Sequence, residues 1–123
     1  MNTLRNFLWV GLGGGLGAML RLFFSSLGKT GAFPYQTLFI NITGSLFIGL
    51  IFALSLKNEL LPENLKLFLA TGICGGFTTF SAFSMENLQL LRTGNYLTAM
   101  LYILVSVSLC ILAAAAGFKL VNN

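Results

Sequence analysis

The amino-acid sequence predicts an all-α membrane protein with four transmembrane helices and a break in the third. Of the 123 residues, 56% are hydrophobic and only 8% are charged, whereas about 25% of the residues of a soluble domain are charged. Most charged residues lie at the boundaries of four long apolar segments, and a helix needs roughly 20 apolar residues to cross a bilayer. This composition excludes soluble enzymes, disordered chains and coiled coils.

The four apolar segments define the four helices. Gly28, Pro34, Pro62 and Gly94 lie between the segments and are typical of turns and helix starts. Residues 1–123 are therefore predicted to form a single multi-pass transmembrane domain. The predicted helices span about 5–27, 36–57, 65–91 and 95–119.

Positive charge is divided almost evenly between the two ends of these helices. Cytoplasmic loops normally carry an excess of Lys and Arg, but here the division is four against three: Arg5, Lys57, Lys66 and Lys119 against Arg21, Lys29 and Arg92. The count therefore favours neither orientation. A singly oriented chain and a pair of oppositely inserted copies related by a two-fold axis both remain open.

Polar residues recur at every fourth position in two helices, so each set shares one helix face. Polar groups inside a span either line an ion pathway or join helices through hydrogen bonds. A pathway role is favoured for the mid-span carboxamide, because a buried amide is costly unless it is used or paired. The two sets are Thr37, Asn41 and Ser45 in the second helix, and Tyr102, Ser106 and Cys110 in the fourth.

The third segment contains the strongest local signal. Gly75 and Gly76 are followed closely by Thr78 and Thr79, and these residue types make a poor helix centre. We expect 75–79 to leave the helix. The freed backbone must be buried in protein or line a cavity, so its carbonyls would suit a small cation, and two copies on an axis would enclose one ion. A simple kink packed against a neighbouring helix is the alternative.

Aromatic and basic residues near this segment admit two interpretations each. Phe80 and Phe83 share a face, and their positive ring edges would line an anion path or simply pack. Arg21 either reaches lipid headgroups or makes a vestibule mouth positive.

Cys74 and Cys110 lie inside spans with no His to complete a metal site, so they are interpreted as small buried apolar residues.

Three blocks of residues together resemble the Fluc-type (CrcB) family of fluoride channels. They occur in this order along the predicted spans, and the resemblance extends over almost the whole chain. The blocks are Gly13-Gly14-x-x-Gly17-Ala18-x-x-Arg21, Thr37-Leu38-x-x-Asn41-x-x-Gly44-Ser45-x-x-x-Gly49, and Gly72-x-x-Gly75-Gly76-Phe77-Thr78-Thr79-Phe80-Ser81-x-Phe83-x-x-Glu86.

The resemblance implies a passive fluoride-selective channel, not an enzyme, in the bacterial inner membrane. It implies a dual-topology antiparallel homodimer in membrane lipid. The seven basic residues are scattered and form no cluster, so no nucleic-acid partner is expected. The resemblance also implies a central structural sodium ion, held by the backbone carbonyls of Gly75 and Thr78 from both subunits.

The resemblance further assigns the fluoride pathway residue by residue. Its members would be Asn41, Phe80, Phe83, Thr37, Ser106 and Tyr102, with Arg21 acting on the vestibule electrostatics. Two positions depart from the family pattern: Gln36 stands where the family has Gly before Thr37, and Cys110 stands where a hydroxyl would complete the polar stripe.

Two other classes of protein fit a short chain with four spans. A small proton-coupled multidrug exporter would need a membrane-embedded acid in the first span, and 5–27 contains none. A non-transporting assembly subunit would need no pathway at all. No ATP-binding motif and no chain of acids is present, which favours passive conduction over pumping.

Overall fold

The computed structural model describes residues 2–28, 31–57 and 61–122, and all regular secondary structure in these residues is helical. Four helical spans are long and apolar enough to cross a membrane, and the third, Glu63–Arg92, is broken. The predicted fold class is confirmed to this extent. The helices are α1 (Asn2–Ser25), α2 (Tyr35–Lys57), α3 (63–77), α4 (Phe80–Arg92) and α5 (Tyr96–Val121).

Helix α3 is not a uniform α-helix. It begins as a single α-helical turn, Glu63–Lys66, and continues as a π-helix over Leu67–Cys74. It ends in the α-helical segment Gly75–Phe77. π-Helices are rare overall but common at functional sites, and this one precedes the break by a single short α-helical segment.

The four spans pack as two pairs, α1 against α3 and α2 against α5. Glycine makes the first contact possible, because a Cβ on Gly13 would lie 2.9 Å from the Cα atom of Gly72. In the second pair, a Cβ on Gly49 would lie 2.8 Å from the carbonyl carbon of Ala114. Small residues of this kind let membrane helices approach backbone to backbone.

The break is shorter than expected and lies later in the chain. Only Thr78 (φ −80°, ψ 157°) and Thr79 (φ −152°, ψ 120°) are extended, so the expectation that all of 75–79 leaves the helix is wrong. Gly76 serves the packing instead, because a Cβ there would lie 3.0 Å from the Cα atom of Gly14 on α1. The two β-branched threonines take the extended conformation that suits them.

Side-chain hydrogen bonds to backbone carbonyls are found at helix ends on both sides of the bundle. Helix α1 ends at Ser25, earlier than the predicted 27, and the Ser26 hydroxyl donates to the carbonyl of Phe23 (2.7 Å). At the opposite end of the bundle, Lys57 Nζ donates to the carbonyl of Val121 (3.0 Å). The carboxyl ends of α2 and α5 therefore lie on one side. Lys29, which entered the charge count, lies outside the described residues.

Candidate functional site

Two cavities flank the break in the third span, and Thr79 lines both of them. The central cavity, about 550 Å³, lies between α2, the break and α5. The polar cavity, about 450 Å³, lies toward the start of α2 and the end of α4. Six predicted site residues line the central cavity: Asn41, Gly75, Thr78, Phe80, Phe83 and Ser106. Arg21 and Thr37 line the polar cavity instead.

Asn41 on α2 holds the backbone of the break. Its Nδ2 atom donates to the carbonyl of Thr79 (3.1 Å), and its Oδ1 atom accepts from the Thr79 N–H (2.9 Å). One carboxamide thus satisfies both backbone groups of a residue that has left the helix, as buried backbone requires. The second N–H of Nδ2 is not used in these two bonds, so the predicted contact of Asn41 with fluoride stays a prediction.

Four consecutive backbone carbonyls, those of 75–78, lose their helical donors at the break. In a continuous helix the Thr79 N–H would bond to the Gly75 carbonyl, and the Ala82 N–H to the Thr78 carbonyl. The first N–H donates instead to Asn41 Oδ1, and the second to the Thr79 hydroxyl (3.1 Å). The carbonyls released in this way include those of Gly75 and Thr78, the two residues predicted as sodium ligands.

Arg21 on α1 donates a hydrogen bond to another carbonyl of the break. Its Nε atom donates to the carbonyl oxygen of Gly76 (3.1 Å), at the carboxyl end of α3, where a cation is favourable to the helix dipole. The side chain is half-buried and also lines the polar cavity. Arg21 therefore contributes a positive charge to that cavity while it stabilises the break.

Thr37 and Tyr102 both donate hydrogen bonds to the carboxylate of Glu86, to which the sequence analysis assigned no role. The Thr37 hydroxyl donates to Glu86 Oε2 and the Tyr102 hydroxyl to Glu86 Oε1, both at 2.7 Å. Short hydroxyl–carboxylate bonds of this kind are strong, and they tie α2, α4 and α5 together. The position of Glu86 inside a predicted span could have revealed this role, since acids there are normally paired or functional.

The aromatic pair, Phe80 and Phe83, lines the central cavity. The ring centroids of Phe80 and Phe83 are 5.4 Å apart, and Phe83 lies 4.9 Å from the ring of Tyr102. Phe83 is half-buried, whereas Phe80 is 77% exposed on the single chain. Ser106 is 6% exposed, and its Oγ atom has no hydrogen-bond partner among the described residues.

A sequence model of the CrcB-like protein family, described as camphor resistance (CrcB), matches residues 8–118. The chain belongs to the CrcB family. It is 46% identical over 120 residues to a protein of Azobacteroides pseudotrichonymphae, and the aligned region covers 95% of this chain and 96% of the relative. It is 48% identical over 122 residues to one from Campylobacter jejuni, which covers 96% of both chains. Both relatives are named fluoride-specific ion channel FluC.

A third relative, from Flavobacterium psychrophilum, bears the same name and is 46% identical over 118 residues, or 93% of this chain and 94% of its own. Membership of the CrcB family confirms the resemblance stated from the three sequence blocks. Together with four apolar helical spans, it identifies a multi-pass membrane protein.

Proposed function

We propose that this CrcB-family chain is a passive fluoride-selective channel that exports fluoride from the cytoplasm across the bacterial inner membrane. The observation that carries the proposal is the name shared by relatives that match nearly the whole chain. The chemistry of the central cavity supports it. Since the relatives are channels by name, we expect no enzymatic activity. Fluoride efflux from liposomes tests the proposal directly.

Fluoride is small and strongly hydrated, so a pathway must offer donors that replace water without holding the ion too tightly. The residues that line the central cavity include Asn41, whose second amide N–H is not used to hold the break, and Ser106, whose hydroxyl has no partner among the described residues. The rings of Phe80 and Phe83 line it as well. Among the described residues that line it, none is Lys or Arg. A negative cell interior would drive the anion outward by about 2.3 kcal/mol per 100 mV.

Two copies of the chain, inserted in opposite directions, would complete the pathway. Phe80 is 77% exposed on one chain, and Gly75 is also exposed at the edge of the central cavity. Free backbone carbonyls at this surface suit a protein partner better than lipid. The four-to-three division of positive charge is compatible with insertion in both directions.

A structural sodium ion on the axis of that dimer would accept the released carbonyls. Gly75 and Thr78 contribute oxygen atoms without a helical donor, and hard oxygen ligands suit such a cation. No cluster of three His, Cys, Asp or Glu residues exists in the described part of the chain, so a divalent ion would be poorly neutralised. When bound, the ion would supply positive charge close to the anion pathway.

Replacement of Gly75 by alanine tests the dimer axis. Gly75 is helical (φ −63°, ψ −38°), and an added Cβ would meet nothing closer than the Ala70 carbonyl oxygen at 3.8 Å. The change therefore leaves one subunit folded, since alanine favours helix over glycine by about 1 kcal/mol. We expect Gly75→Ala to lower dimerisation or fluoride efflux by about tenfold or more, as measured by light scattering in detergent and by liposome flux.

Gly76→Ala is the matched control for this test. A Cβ on Gly76 would lie 3.0 Å from the Cα atom of Gly14 and 3.1 Å from its carbonyl carbon. This variant is expected to lose thermal stability within the subunit, whereas Gly75→Ala keeps it. A Gly75→Ala protein with normal dimerisation and normal efflux would argue against both the axis and the ion.

Single cysteines at the two ends of the bundle test dual topology. Ala32 and Asn122 are exposed and lie at opposite ends, so Ala32→Cys and Asn122→Cys are introduced separately into a protein without the native cysteines. A membrane-impermeant maleimide should label about half of each variant from one side of the membrane, because the charge count favours neither orientation. Complete labelling of one position and none of the other would mean a single orientation.

A further inference from the structure

Both cysteines line the central cavity, and Cys110 is the more exposed of the two on the single chain. Cys74 on α3 is 8% exposed, whereas Cys110 on α5 is half-buried. Both are free thiols. The sequence interpretation as small buried apolar residues suits Cys74, but Cys110 presents its thiol to a cavity.

Ser106 lies on the same wall of the central cavity as Cys110. It lies one turn before Cys110, so the two side chains share a face of α5. Ser106 is 6% exposed, and its Oγ atom lacks a hydrogen-bond partner among the described residues. A buried hydroxyl normally has a partner. The cavity volume of about 550 Å³ falls within the range of small-molecule sites, about 300–1,000 Å³.

We propose that Cys110 is a modification site for small, uncharged thiol-reactive compounds, and that its modification blocks conduction. The inference deepens the proposed function and rests on it. The accessible thiol stands beside Ser106 in the cavity assigned to fluoride, so a group attached there would occupy space that the ion needs. It would also remove the S–H donor from the wall. Buried Cys74 does not react while the protein is folded, because reaction needs access to the sulfur.

The reaction with an alkyl thiosulfonate is balanced by the reagent itself. The deprotonated sulfur of Cys110 attacks the sulfenyl sulfur, and its thiol proton passes to water. A disulfide bond forms between Cys110 and the alkylthio group, while the S–S bond of the reagent breaks and its electron pair leaves with the alkanesulfinate. The cysteine sulfur is oxidised and the reagent is reduced. A dithiol reductant reverses the modification.

Methyl methanethiosulfonate is the probe, applied to the full-length protein in liposomes. Three proteins are compared, each against its own untreated efflux: wild type, Cys74→Ala and Cys110→Ser. Wild type and Cys74→Ala should each gain one methylthio group by intact mass. Both should lose efflux by about tenfold or more, and dithiothreitol should restore it. Cys110→Ser should gain no methylthio group and keep its efflux.

Each contrary result has a distinct meaning. If Cys110 is labelled and efflux is undiminished, the claim that modification blocks conduction is wrong. If Cys110 stays unlabelled in folded protein, the claim that its thiol is accessible is wrong. Inhibition that persists in Cys110→Ser would assign the effect to another residue and overturn the site. An untreated wild type without fluoride efflux would overturn the proposed function, while the mass measurement still decides whether Cys110 is the modified residue.

Discussion

Phe80→Ile and Phe83→Ile are each expected to lower fluoride efflux by about tenfold or more, a barrier increase of about 1.4 kcal/mol. Isoleucine keeps an apolar side chain of similar bulk but lacks the positive ring edge that an anion would approach. The centroids of the two rings lie 5.4 Å apart, and both residues line the central cavity. The measurement is efflux from liposomes, normalised to the amount of dimer.

Phe52→Ile is the matched control for the aromatic pair. Phe52 is 55% exposed and has one ring neighbour, Phe118 at 5.7 Å, but it lines neither cavity. If aromatic packing alone matters, all three substitutions should have similar small effects. A folded Phe80→Ile/Phe83→Ile double variant with normal efflux would remove both residues from the pathway.

Asn41→Asp is expected to abolish most fluoride efflux while the fold survives. The carboxylate still accepts from the Thr79 N–H but cannot donate to the Thr79 carbonyl, which lies 3.1 Å from Nδ2 in the wild type. It also adds negative charge to an anion pathway. Two like charges 4 Å apart repel by about 4 kcal/mol at an effective dielectric constant of 20. The expected loss of efflux per folded dimer is therefore about 100-fold or more.

Asn41→Leu separates the role in folding from the role in conduction. Leucine leaves the Thr79 N–H without a partner, at a cost of about 1–3 kcal/mol, and removes one of the two donors to the Thr79 carbonyl, which as the N-cap of α4 also accepts the first helical bond. The Asn41→Leu variant should therefore unfold at a lower temperature than the Asn41→Asp variant, although the leucine adds no charge. We expect Asn41→Asp to fold better and conduct less. Equal efflux per folded dimer in Asn41→Asp and wild type would limit Asn41 to holding the break.

The existence of the break was predictable from residue types, but its extent was not. Low helix propensity at Gly75, Gly76, Thr78 and Thr79 indicated a weak helix centre. The same lack of a Cβ also permits close helix approach, and the sequence cannot distinguish the two uses. In the structure Gly76 contacts α1 at Gly14 and stays helical, so that only the threonines are extended.

Contacts between different helices were the part that periodicity could not supply. The four-residue spacing correctly grouped polar residues on faces of α2 and α5, but it says nothing about the register between helices. The pairing of Asn41 with Thr79, and the meeting of Thr37 and Tyr102 on Glu86, depend on how three spans are aligned. Close backbone contacts, such as that of Gly49 on α2 with Ala114 on α5, are part of this alignment.

Fluoride efflux from liposomes that contain only the purified protein tests the central claim most directly. The vesicles hold fluoride and potassium, and valinomycin supplies the balancing potassium current while an electrode records external fluoride. A passive channel predicts rapid, protein-dependent fluoride efflux that needs neither ATP nor an imposed proton gradient, with no comparable chloride efflux. A folded protein without fluoride efflux, or with efflux only under a proton gradient, would contradict the account.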